Sequence, residues 1–250
     1  MEFRTEGIVV SRHPVGETSQ LVRLLTARAG LVTVYARGAR REYRRAGAAM
    51  DTLARSEWIL RSRRGDDLGD FFLVEQVDLV RSNRGARSDL RRALSGMFLA
   101  DVVRLHYGEG EPLYSHLAAG LEVISGSVGG DRAFLWWFVL RTLELSGHTP
   151  ILDQCALCGG AAGRGVSPRA GGVVCASCSR QEERILPVST EALEVLCGLS
   201  SDGGMDPGPA SLVSGRAARD VREVLRALLI WPVGGDVDLP TLDILQKLGR

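Results

Sequence analysis

A chain of 250 residues, 45% apolar and 24% charged, has ordinary globular composition and length for one large domain or two to three small ones. No run of about 18 apolar residues occurs, which excludes a transmembrane helix, and the start Met1–Glu6 lacks an export pattern, so a cytoplasmic chain is expected. The net charge of +1 is unevenly spread: the first 92 residues hold 18 arginines against 12 Asp and Glu, a net of +6, and the remainder nets −5. Any anion-binding surface is therefore expected near the N-terminus. Lys247 is the only lysine, so the positions of the arginines carry more information than their being arginines.

Residues 1–80 alternate with period two and predict five strands, Thr5–Ser11, Thr18–Leu25, Leu31–Ala36, Leu53–Arg61 and Phe71–Val80. Turn signals at Pro14-Val15-Gly16, Ala29-Gly30 and Gly65-Asp66-Asp67 separate them. Five short strands in this length suit a small closed barrel of the OB kind better than a sandwich. From residue 83 the period becomes helical. Leu90, Leu94, Met97, Phe98, Val102 and Leu105 make one stripe; Leu113, Leu117, Leu121 and Ile124 make a second. A third helix starts at Asp131, a good N-cap, and ends at Gly147. Its Phe134-Leu135-Trp136-Trp137-Phe138 run is apolar all round, which predicts core packing over base stacking. Helical patterning returns after residue 182, with Ser189-Thr190 capping one segment and Val221, Val224, Leu225, Leu228 and Leu229 striping another. The expected fold class is α+β: a barrel over 1–82 and a helical domain over 83–250, with a module over 150–182 inserted between helices.

That module carries Cys155-Ala156-Leu157-Cys158 and, sixteen residues on, Cys175-Ala176-Ser177-Cys178. A two-residue spacer lets two thiolates point from one turn at a single ion, and two such turns complete a tetrahedron, the geometry zinc accepts. Four thiolates fill the coordination sphere, so one structural zinc with no catalytic position is expected. The fifth cysteine, Cys197, falls in an apolar stripe and reads as a core residue. The chain has no phosphate-binding glycine loop with a Lys, no G-x-S-x-G and no H-E-x-x-H, and its four histidines are scattered, so no enzyme is expected.

The basic stretch Arg37-Gly38-Ala39-Arg40-Arg41-Glu42-Tyr43-Arg44-Arg45 follows the third strand, and Arg61, Arg63 and Arg64 lie near the end of the fourth. OB barrels bind oligonucleotides along a face and in their connecting loops. These arginines are candidates to neutralise phosphates, with Tyr35 or Tyr43 stacking on a base. No base-reading pattern accompanies them, so the expected binding is sequence-tolerant and salt-sensitive.

Several segments together resemble the RecO family of bacterial DNA repair proteins. They are Gly7-Ile8-Val9-Val10, Gly16-Glu17-Thr18-Ser19-Gln20-Leu21-Val22-Arg23-Leu24-Leu25-Thr26, Gly30, and Ala36-Arg37-Gly38-Ala39-Arg40-Arg41, then Leu145-Ser146-Gly147-His148-Thr149-Pro150 before Cys155, and Gly171-Gly172-Val173-Val174 before Cys175. The resemblance implies an N-terminal OB fold, a helical domain and a zinc module. It also implies binding of single- and double-stranded DNA, annealing of complementary strands and, with RecR, help to RecA in displacing single-stranded DNA-binding protein. RecF and RecA are further implied partners, and the implied place is the bacterial nucleoid. On this reading Arg37, Arg40 and Arg41 match the family's basic motif, and Arg44 and Arg45 extend it. One departure is Ala46-Gly47-Ala48-Ala49, where the family often has a Ser-containing loop. Many relatives also lack some of the cysteines. Two rival readings stay open: a zinc-ribbon protein acting on RNA, and a helical scaffold with incidental arginines.

Overall fold

The computed structural model describes residues 2–39, 47–62, 71–105, 110–126, 131–163, 165–200 and 215–234, and positions 213, 237 and 241. Strands β1 (Glu2–Val15), β2 (Ser19–Thr26), β3 (Gly30–Ala36), β4 (Arg55–Ser62) and β5 (Phe71–Arg81) close into a barrel in the order β1-β2-β3-β5-β4. Every neighbouring pair is antiparallel except β3 and β5, which run parallel and meet only through Thr33–Tyr35 against Phe71–Leu73. This is the OB topology that the five predicted strands suggested.

Alternation explains the barrel interior. Val22 and Leu24 of β2, Val32, Val34 and Ala36 of β3, and Trp58 and Leu60 of β4 point inward with Val9 and Met50. Trp58 is fully buried, and a Cβ added at Gly7 would lie 3.3 Å from its Cδ1, so the bare backbone of Gly7 leaves room for the indole. β1 is longer than its alternation predicts. Ser11 to Val15 pair with β2 as a ribbon whose side chains from Arg12 to Val15 are exposed, so no hydrophobic period marks them.

The chain divides into two compact units, Met1–Gly129 with Leu239–Arg250, and Gly130–Asp238. The strand-to-helix change falls near residue 82, but helices α1 (Leu90–Leu105) and α2 (Gly110–Ser125) share the barrel's unit. The reason lies outside the barrel wall. Ile8 and Leu25 are excluded from the interior yet fully buried, in the same unit as buried Leu99, Leu113, Leu117 and Leu121. Contacts of α1 with β1, and of α2 with β1, β2 and β3, supply that cover. A Cβ at Gly96 of α1 would come within 2.7 Å of Leu53 Cδ1, so the helix meets that side chain with its backbone. Leu53 adopts a left-handed backbone (φ 70°), a costly conformation for a branched side chain. It is held from both sides: its N–H donates to Val9 O at 2.8 Å, and Asn83 Nδ2 donates to its carbonyl at 2.8 Å.

The α1 stripe differs from the expectation. Leu94, Phe98 and Val102 are buried, but Leu90 is 64% and Met97 44% exposed. The buried arc is centred on Ser95, Leu99 and Val102 and includes Gly96 and Ala100. Small residues form part of that face, and a reading that follows only large apolar residues misplaces it.

In the second unit, α3 (Arg132–Leu145) buries Phe134, Leu135, Trp136, Phe138, Val139 and Leu140, which agrees with core packing. Asp131 caps it, accepting from Ala133 N–H at 2.9 Å. Three short strands follow, β6 (Gly165–Ser167), β7 (Gly172–Val174) and β8 (Leu186–Pro187), in a sheet of order β7-β6-β8. Helices α4 (Thr190–Ser200) and α5 (Gly215–Ile230) complete the unit. Among the described residues no helix is long and apolar enough to cross a membrane.

Candidate metal centre and candidate nucleic-acid interface

Two backbone turns aim the four cysteines at one point. In the first, Cys155 N–H donates to Gly160 O and Gly159 N–H donates to Cys155 O, both at 2.8 Å, with Gly159 at φ 69°. The second begins where β7 ends: Ser179 N–H donates to Cys175 O at 2.9 Å, and Cys178 opens a 3-10 turn over Cys178–Gln181. Ala156 N–H donates to Val173 O at 2.7 Å and ties the turns together. Gly172 permits this approach, because a Cβ there would fall 2.1 Å from Ile151 O.

The four sulfurs lie within 4.8 Å of one another, with Cys158 Sγ and Cys175 Sγ 3.9 Å apart. A tetrahedral ion with metal–sulfur bonds of about 2.3 Å needs sulfur–sulfur edges of about 3.8 Å, so the residues fit a metal ion. Backbone N–H groups prepare two of the thiolates. Cys175 N–H, 3.3 Å from Cys155 Sγ, is the main cause of a Cys155 pKa lowered to about 6. Cys178 N–H likewise lowers Cys175. Cys178 itself is pushed up to about 12, chiefly by its Cys175 neighbour. Without a cation, four thiolates this close cannot all ionise, and a divalent ion resolves the conflict. Cys197 stands outside the cluster, half-buried, its thiol donating to Leu152 O at 3.7 Å.

A brace beside the sulfurs was not legible in the sequence. Glu182, with its side chain 1% exposed, accepts from Ser167 Oγ at 2.5 Å and pairs with Arg169. Arg169 and Ser167 hold its carboxyl below the usual carboxylate range. Acid pairs such as Glu182-Glu183 read as solvated from their charged surroundings alone, and only the fold turns Glu182 inward.

On the barrel, the side chains of Leu21 and Arg23 (β2) and of Leu31, Thr33 and Tyr35 (β3) alternate with the core residues and face outward. Register sets Leu21 opposite Tyr35 and Arg23 opposite Thr33. Leu25, opposite Leu31, is buried, whereas Tyr35 is partly exposed and β3 leads from it to the exposed Arg37. Arg40, Arg41, Arg44, Arg45, Arg63 and Arg64 lie outside the described residues. Arg61 sits on β4 with its Nε 2.6 Å from Glu75, so part of its charge is neutralised. Most arginines on the described barrel strands are similarly engaged, including Arg4 with Glu57, Arg12 with Asp51, and Arg55 with Glu6. Arg23 and Arg37 have no carboxylate partner among the described residues. Arg23 Nε is buried without an acceptor. A reading by motifs passes over Arg23 because it stands alone in a strand; strand alternation is the signal that places it beside Tyr35.

Barrel and cysteine cluster together define an OB-fold protein with a four-cysteine metal-binding module. Two family models match: the N-terminal region of recombination protein O over residues 1–83, and its C-terminal region over residues 87–238. Similar proteins called DNA repair protein RecO include one from Anaeromyxobacter sp. (strain K), 34% identical and covering 91% of this chain and 90% of the relative. Another, from Streptomyces griseus, is 30% identical and covers 92% of this chain and 93% of the relative. A third, from Rhodopirellula baltica, is 31% identical over 80% of this chain and 76% of the relative. The chain belongs to the RecO family of DNA repair proteins.

Proposed function

We propose that this chain is a non-catalytic recombination mediator: it binds single- and double-stranded DNA through the barrel and anneals complementary strands. With RecR it promotes RecA loading on DNA coated by single-stranded DNA-binding protein, in the bacterial cytoplasm. The observation that carries this reading is the outward β2–β3 face, where Arg23 and Tyr35 stand partly exposed on strands leading to Arg37. A ring and guanidinium groups on a barrel face suit a sugar-phosphate strand with no base preference. Neutralising phosphates on two strands lowers their mutual repulsion, which is the barrier to annealing. The ion proposed for the cysteines is zinc, because four thiolates at tetrahedral spacing favour it over hard cations, and it serves structure alone.

The test is binding of labelled single-stranded DNA at several salt concentrations. Replacing Arg37, Arg40 and Arg41 together with Ala weakens binding about tenfold. It also flattens the salt slope by about 2, since each phosphate left without its arginine removes roughly 0.7. Arg23→Ala weakens binding further. Unchanged affinity in the triple variant overturns the assignment, and preference for RNA of the same sequence favours an RNA-binding role. Annealing of complementary strands coated with single-stranded DNA-binding protein, with and without the chain and RecR, checks the mediator role.

A further inference from the structure

We propose that a cleft in the second unit is a stacking subsite for one nucleotide of a DNA strand, separate from the barrel face. The inference rests on the DNA-binding reading above and adds a second site of attachment to it. Arg184, Leu186, Glu223, Arg226, Ile230 and Trp231 are among the residues lining a cleft of about 580 Å³, a volume typical of small-ligand sites.

The tryptophan sets this cleft apart from ordinary surface. Trp58 and Trp136 are buried in their cores, but Trp231 is 47% exposed. An indole left half in water forgoes about half of what its burial would contribute. Its backbone is nonetheless well defined. It follows α5 directly and opens the 3-10 turn Trp231–Val233, which contains Pro232 and is closed by Gly234 N–H donating to Trp231 O at 3.2 Å. Local structure thus sets the backbone from which the indole lines the cleft. Leu186 and Ile230 give the cleft apolar surface. Arg184 is exposed and has no carboxylate partner among the described residues. The two arginines and Glu223 leave the six residues with a net charge of +1. An aromatic face, apolar lining and an available guanidinium match a base and its phosphate.

Peptide ligands fit less well. Leu186 belongs to β8, the edge of its sheet, but β8 has two residues and the second, Pro187, has no N–H. An extended peptide therefore finds almost no ladder to join. A helical peptide needs apolar contacts along several turns, whereas here arginines and a glutamate interrupt the apolar residues. Glu223 is compatible with a base, since a carboxylate accepts from an exocyclic amine.

The experiment uses the full chain and fluorescein-labelled single-stranded oligonucleotides, with Trp231→Phe, Trp231→Ala, Arg184→Ala and Glu223→Gln. Stacking of one base predicts about a tenfold loss of affinity in Trp231→Ala, with Trp231→Phe within about threefold of the parent. Arg184→Ala reduces the salt slope by about 0.7, and Glu223→Gln strengthens binding about twofold to threefold. If Trp231→Ala misfolds, Arg184→Ala and Glu223→Gln still decide the question at the cleft's rim. Unchanged DNA binding in all these variants, while the Arg37/Arg40/Arg41 variant loses it, overturns the cleft and leaves the barrel site standing. No DNA binding by the parent chain overturns both. Loss of binding to an acidic peptide, with DNA binding intact, assigns the cleft to a protein partner and overturns the proposal.

Discussion

The barrel encloses a contiguous core from Val9 through Trp58 and Leu60, contributed by strands of seven to fourteen residues. The cysteine module has strands of two or three residues, and among the described residues its buried aliphatic side chains are few: Leu152, Val166, Val173, Val174 and Val188. One region is stabilised by apolar burial, and the other lacks enough of it for its length. In the module four clustered cysteines, spaced to hold a metal ion, and one buried carboxylate stand where that core is missing. Two parts of one chain should therefore fail under different insults.

The largest expected effect is metal removal. Apparent binding free energies of structural zinc are on the order of 10 kcal/mol, far more than the module's apolar packing supplies. Chelation should expose the amides of Ala156 and Val173 to rapid hydrogen exchange while Val22 and Val34 in the barrel stay protected. Equal loss of protection in both regions would break the contrast. Next comes Trp58→Ala, which should cost about 3–5 kcal/mol in denaturant unfolding of the barrel and leave the metal content at one ion per chain. Trp58→Phe should cost much less, since the indole N–H is buried without an acceptor and nothing polar is lost with it. Third, Asn83→Ala removes the donor to Leu53 O and places Ala at φ 47°, an expected loss of about 2 kcal/mol seen as a lower unfolding midpoint.

A pH dependence sharpens the same division. The Glu182 carboxyl is lowered in the folded state, so its contribution is complete above the ordinary carboxyl range and is lost as pH falls through the folded value. Thermal melts from neutral to acid should show Glu182→Gln flattening the acid limb of the module alone. The smallest effect expected is at the exposed Arg4–Glu57 pair, where Arg4→Ala should change stability by less than about 0.5 kcal/mol in the same melts.

The barrel was legible because one face of most strands is buried, so period two is written into Val22, Leu24, Val32 and Val34. The cysteines were legible because chelation demands their spacing. Strands β6 and β7 were not, since three residues cannot display a period. The grouping of α1 and α2 with the barrel was hidden as well. It depends on outward-facing Ile8 and Leu25, and a sequence does not say what covers a residue. Arg23 and Trp231 were hidden for a related reason: each stands alone among apolar neighbours, and only exposure and register distinguish it from core or ordinary surface.

The parallel pairing of β3 with β5 bears on how the barrel is made. Hairpins β1–β2 and β2–β3 zip from tight turns, but the seam at Thr33–Tyr35 has to await Phe71–Leu73, synthesised much later, and offers only three residue pairs in return for closing that long loop. A ribosome-bound chain ending before Phe71 thus holds an unclosed sheet with Val34 and Trp58 accessible to water and chaperones. The same seam is where the finished cylinder should part first, ahead of any antiparallel ladder.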